Sequence, residues 1–128
     1  MLGADFSEVS WPASGEIDIM EHVGNEPTTI LSTLHYPGNF GINGPTQEIE
    51  VPGVEEEFHV YRLIWGPDNL FFYVDDELYH TFDNQEDLPF NADFFFILNV
   101  AMGGNLGGAI DPNFDASQME VDYVRVYQ

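Results

Sequence analysis

The chain is expected to be all-β, a sandwich or barrel of short antiparallel strands. Three observations lead there. Segments rich in β-branched and aromatic residues alternate with clusters of Gly, Pro, Asn and Asp over the 128 residues. No stretch carries a convincing helical period, and no internal repeat or low-complexity run interrupts the pattern. The length allows one domain with a real core, and 44% hydrophobic residues argue against disorder.

Taken in order, residues 15–22 alternate apolar and acidic side chains, as a half-buried strand does. Residues 28–36 follow as a second strand. From Pro37 to Pro52, Gly38, Gly41, Gly44 and Pro45 predict an irregular, exposed loop. Strands are expected near 58–65, 69–75 and 77–82, with turns at Gly66-Pro-Asp-Asn69 and Asp75-Asp76. The apolar run 94–102 and the alternating run 119–127 complete the set. Trp65, which shares a strand with Leu63, is expected in the core. So are Phe71, Phe72, Phe94, Phe95 and Phe96, on strands buried on both faces. His22, His59 and His80 are expected at surface or half-buried strand positions.

Net charge is −21, with no lysine and only Arg62 and Arg125 as cations. Phosphate backbones and anionic membranes need clustered positive charge, so neither nucleic acid nor a membrane is an expected partner. A neutral polysaccharide suits the chain better than a sulfated one, and the acid excess suits solubility at high salt. Glu55-Glu56-Glu57 reads as a solvated charge run. Cysteine is absent, which excludes disulfides and thiolate metal sites. No apolar run reaches 18 residues, and no signal peptide is visible.

The densest chemistry lies in Gly15-Glu-Ile-Asp-Ile-Met-Glu21. Glu16 and Asp18 share one strand face, and Ile17 and Ile19 the other. A regular strand would send Glu21 to the apolar side; a β-bulge at Ile19-Met20 returns it to the face of Glu16. Retaining glycosidases need two carboxyl groups roughly 5–5.5 Å apart. Five residues at about 3.3 Å each put the two Cα atoms ~16 Å apart or a little less, a gap that two long side chains leaning together can largely close. A charge at Asp18 would help raise the pKa of the acid. The alternative is a solvated face in an acidic protein, where such triplets arise by chance.

With its flanks, Trp11-Pro-Ala-Ser-Gly-Glu-Ile-Asp-Ile-Met-Glu-His-Val-Gly24 resembles the active-site strand of glycoside hydrolase family 16. More narrowly it is similar to the laminarinase-type β-glucanases, whose motif is Glu-x-Asp-x-x-Glu with a bulge. The lichenase branch and the xyloglucan transglycosylases carry the shorter Glu-x-Asp-x-Glu. Ser32-Thr-Leu-His-Tyr-Pro-Gly38, Tyr61-Arg-Leu-Ile-Trp65 and Phe71-Phe-Tyr-Val-Asp75 resemble further strands of the family in order. Phe96-Ile-Leu-Asn-Val-Ala-Met-Gly-Gly104 and Met119-Glu-Val-Asp-Tyr-Val-Arg-Val-Tyr127 resemble its closing strands.

The resemblance implies a concanavalin-like jelly roll whose concave sheet forms an open cleft. It implies a retaining endo-β-1,3-glucanase with Glu16 as nucleophile, Glu21 as acid/base and Asp18 tuning both, acting on a β-glucan such as laminarin without a catalytic cofactor. Trp11 is the best candidate for sugar stacking. His35, alternating with Thr33, is expected to face the cleft. Asn99, polar in an apolar run, either reaches the cleft or ties strands together. Asn105 lies in the loop Gly103-Gly-Asn-Leu-Gly-Gly108, where the family commonly has a tryptophan in the place of Leu106. Asp122 matches a structural calcium ligand of the family, and calcium takes six to eight oxygens. Secretion is implied as well.

Catalytic domains of this type are about twice as long. Residues 1–128 are therefore expected to form one partial catalytic domain lacking its N-terminal strands. Either the chain is a fragment, or a second chain or swapped segment completes the sandwich. The competing functions are a non-catalytic glucan-binding module and a family member acting on mixed-linkage glucan or an algal galactan.

Overall fold

The computed structural model describes residues 1–127. They fall into two compact units, Met1–Ile97 and the segment from Leu98 onward. Among the described residues the first unit holds all the strands: β1 Leu2–Gly3, β2 Glu16–His22, β3 Thr29–His35, β4 Thr46–Glu50, β5 Tyr61–Trp65, β6 Asn69–Val74, β7 Glu77–Asp83 and β8 Phe94–Phe95. All pairings are antiparallel, in a five-stranded sheet β4-β3-β2-β1-β8 and a three-stranded sheet β5-β6-β7. The described residues of the second unit carry one helical turn, α1 Gly104–Gly107, and no strand.

Period-2 burial builds the core. In β6, Leu70, Phe72 and Val74 are buried while the residues between them are half-exposed. Leu70 and Phe72 meet Ile17 of β2, Leu34 of β3 and Phe90, so the two sheets share one apolar layer. Ile30, Val51 and Val74 form a second cluster. Each such side chain contributes roughly 1.5–3 kcal/mol on burial. Polar contacts also cross the layer: Ser32 Oγ lies 2.7 Å from His80 Nδ1, and the Tyr79 hydroxyl donates to the Ile19 carbonyl at 3.5 Å.

The expected β-bulge is present. Asp18 pairs with Thr33 and Glu21 with Leu31, so β2 advances three residues while β3 advances two. The Asp75-Asp76 turn is also as expected, with Val74 opposite Glu77. Asp75 takes φ 53°, a left-handed conformation that aspartate tolerates better than most residues. Its carboxylate accepts the Val60 N–H at 2.9 Å and contacts His59 Nδ1 at 3.0 Å, and these bonds hold its pKa below the ordinary carboxylate value.

Several expectations are corrected. The 37–52 segment is not loop throughout: Thr46–Glu50 pairs with β3 from Thr33↔Thr46 to Thr29↔Glu50. It is a solvated edge strand in which only Ile49 is partly covered, so the apolar signal is missing. The 94–102 run pairs only at Phe94 and Phe95, because its neighbour β1 is two residues long. Residues 119–127 alternate but form no ladder and are exposed. Alternation marks a face; a strand also needs a partner for its N–H and C=O groups.

Trp65 is half in solvent at the end of β5, its Nε1 donating to the Phe90 carbonyl at 2.7 Å. Phe72 is buried as expected, whereas Phe71, Phe94 and Phe95 are half-buried and Phe96 is exposed. His80 is buried rather than superficial. It stacks on Phe72 at 4.8 Å between ring centroids, and burial lowers its pKa.

Candidate active site

β2 opens directly from Gly15, whose φ of 79° strains any other residue and where an added Cβ would come within 2.9 Å of the Pro89 ring. Glu16 is therefore delivered at the first position of the strand, opposite Leu2 on one side and His35 on the other. Its Oε2 accepts the Trp11 indole N–H at 2.6 Å. Burial pushes the Glu16 pKa up and the Asp18 charge pushes it further. The Trp11 bond, His35 and the Met1 amino group act in the opposite direction.

Asp18, two residues on, points its Oδ2 at His35 Nε2, 3.2 Å away. Glu21, returned by the bulge, accepts the Thr33 hydroxyl on Oε2 at 2.8 Å. Its pKa is also raised, by burial first and then by Asp18 and Glu16, against the Thr33 bond and His35. The His35 pKa is raised chiefly by its hydrogen bond to Asp18, with burial opposing. The three carboxylates and one imidazole thus form a single electrostatic group on one sheet face.

Trp11 sits beside His35, with ring centroids 5.8 Å apart, and meets Phe40 edge-on at 5.4 Å. His35 Nδ1 is closed off from solvent with no partner. Gly44 lies against it: a Cβ there would come within 2.8 Å of both Nδ1 and the Leu34 carbonyl. Thr33 Oγ1 also lies 3.1 Å from Thr46 Oγ1, which donates to the Gly44 carbonyl at 3.1 Å.

The structure therefore brings together Trp11, Glu16, Asp18, Glu21 and His35. Asn99, Asn105 and Asp122 belong to the second unit, where all three are exposed. Among the described residues Asp122 joins no group of three ligating His, Cys, Asp or Glu side chains. Donor atoms of Glu16, Asp18 and His35 lie within 4.8 Å of one another, close enough for an ion. Glu16 is nevertheless bonded to Trp11, and Asp18 and His35 to each other. Thr33, Phe40 and Gly44 were not among the expected site residues. Only Thr33 had a visible signal, as the same-face neighbour of His35 two positions away.

Known proteins match the chain along most of its length. The family described as "Glycosyl hydrolases family 16" matches residues 4–125. The "Beta-glucanase" of Rhodothermus marinus is 38% identical over 136 residues, covering 96% of this chain and 48% of that protein. The "Glucan endo-1,3-beta-glucosidase A1" of Niallia circulans is 35% identical over 144 residues, covering 100% of this chain and 21% of that protein. Among solved structures, the endo-beta-1,3-glucanase from Pyrococcus furiosus superimposes with a TM-score of 0.79 at 38% identity, over 88% of this chain and 46% of that one. The chain spans half the length or less of these relatives. The bulged carboxylate strand, the all-β sandwich and a match along almost the whole sequence lead to one conclusion: the chain belongs to glycoside hydrolase family 16.

Proposed function

We propose that the chain carries the catalytic strand of a retaining endo-glycosidase that cuts β-1,3 linkages in glucans such as laminarin. The observation that carries this reading is the placement of Glu16, Asp18 and Glu21 on one face across a bulge, with the two glutamates raised in pKa around a shared aspartate. The names of the Niallia circulans and Pyrococcus furiosus relatives support the β-1,3 linkage.

A Glu16 carboxylate oxygen attacks the anomeric carbon as the bond to the leaving oxygen breaks, and Glu21 gives its proton to that oxygen. The resulting glycosyl ester on Glu16 is cleared when the Glu21 carboxylate takes a proton from water and the water oxygen displaces Glu16. Turnover needs Glu16 ionised and Glu21 protonated together. Burial and the Asp18 charge raise both glutamates, against the Trp11 bond and His35 at Glu16 and against the Thr33 bond and His35 at Glu21, so the single proton is shared out by the coupled group. The rate is expected to fall at low pH as Glu16 protonates and at high pH as Glu21 loses its proton, with the midpoints belonging to the coupled pair.

The test is reducing-end release from laminarin by the 128-residue chain. Glu16→Gln and Glu21→Gln are each expected to lower it by about 10³-fold or more. Azide should rescue turnover only when the nucleophile is truncated, as in Glu16→Ala. Full activity in either glutamine variant would sink the assignment. Retention on a laminarin gel with no release would instead favour a binding module.

A further inference from the structure

We propose that Trp11 is a positioning residue for the nucleophile: its indole N–H holds one oxygen of Glu16 so that the other is aimed at the sugar. The inference rests on Glu16 being the nucleophile. Glu16 stands at the mouth of β2, where three side-chain torsions would otherwise leave its carboxylate free to swing. Among the described residues no other side chain donates a hydrogen bond to it, whereas Asp18 has His35 and Glu21 has Thr33.

The donor is itself fixed. The chain around it folds back through two turns, Ala13 N–H to the Ser10 carbonyl at 2.9 Å and Gly15 N–H to the Pro12 carbonyl at 3.1 Å. The ring, 45% exposed, lies tilted beside His35 and meets Phe40 edge-on. An indole N–H only donates and does not titrate in the working range, so it offers the same bond at every pH. A stacking platform needs an open ring face and makes no use of the N–H. Here the N–H lies 2.6 Å from a carboxylate that must carry charge at the moment of attack.

The titratable groups facing Glu16 are Asp18 and Glu21 on its own strand, His35 on β3 and the Met1 amino group beside β1. None is altered by Trp11→Phe, which keeps a ring and removes only the donor. The experiment is NMR titration of the 128-residue chain with labelled indole nitrogens and glutamate carboxyl carbons. Trp11 and Trp65 are the two tryptophans, so the signal lost in Trp11→Phe assigns itself.

The Trp11 indole proton should shift as Glu16 titrates and stop doing so in Glu16→Gln, while Trp65 stays still. In Trp11→Phe the Glu16 carboxyl midpoint should rise by about half a pH unit or more. An unmoved midpoint, or an indole signal indifferent to Glu16, overturns the inference. Should Trp11→Phe not fold, the comparison with Glu16→Gln still decides it. These readouts do not depend on turnover, so they stand apart from a failure of the nucleophile assignment, which azide rescue reads. With turnover measured as well, Trp11→Phe should lower kcat about tenfold with KM nearly unchanged. A raised KM with unchanged kcat would overturn the inference in favour of a sugar-stacking ring.

Discussion

Glu16 and Glu21 bind their protons more tightly in the folded chain than in the unfolded one. Well below the ordinary value of 4.5 both states are protonated and nothing is lost; as pH rises through that value and past the raised ones, the native state gives up stability. Glu16→Gln and Glu21→Gln should therefore raise Tm at pH 7 by a few degrees and leave it nearly unchanged at pH 3. In a domain of about this size roughly 1 kcal/mol moves Tm by ~4 °C. A lower Tm at pH 7 would show that ionising these two glutamates does not cost the fold stability. His35 works the other way. Its raised pKa contributes stability that is fully present below the ordinary 6.5 and is lost as pH climbs through the raised value. Urea melts should show His35→Ala costing more at pH 5.5 than at pH 9. At this scale the glutamates and Asp18 were legible from spacing, because a strand face is a matter of counting. The partners were not: that the Trp11 N–H folds back on Glu16 depends on the turns at 10–15, which no periodicity encodes.

Among the elements, the β2 bulge could be placed from sequence because Glu21 would otherwise face the core, and a buried unpaired carboxylate is costly. β4 could not, because an edge strand that turns only Ile49 toward the core carries almost no apolar alternation. The same strand makes Gly44 matter. A methyl there would strike the Leu34 carbonyl, which is backbone and cannot rotate away, as well as the His35 ring. Gly44→Ala should cost about 1–3 kcal/mol in a denaturant melt and shift the His35 ring resonances. An unperturbed His35 would show that the loop before β4 yields instead. Residues 96–102 and 119–127 illustrate the opposite limit, in which a strand-like sequence forms no ladder.

For the molecule as a whole, a net charge of −21 on 128 residues sets a strong self-repulsion that two arginines do little to offset. The Debye length falls from about 30 Å at 0.01 M to ~10 Å at 0.1 M and ~3 Å at 1 M. Tm should accordingly climb with sodium chloride, with most of the rise below about 0.3 M. A flat response would mean that the acidic groups are too dispersed to repel one another across the surface. Composition made this property plain from the outset, since it requires no knowledge of which residues touch.

The Ser32–His80 bond crossing the apolar layer has a mechanical consequence. Packed hydrocarbon is nearly indifferent to small slides of one sheet over another, but a hydroxyl and an imidazole that meet in a dry interior are not. A slip of one residue, about 3.3 Å, would separate them and strand two polar groups at roughly 1–3 kcal/mol each. The pair acts as a dowel between β3 and β7. It indexes the sheet bearing the carboxylates to the sheet behind it, so the reactive face inherits its alignment from a joint on the opposite side of the same sheet.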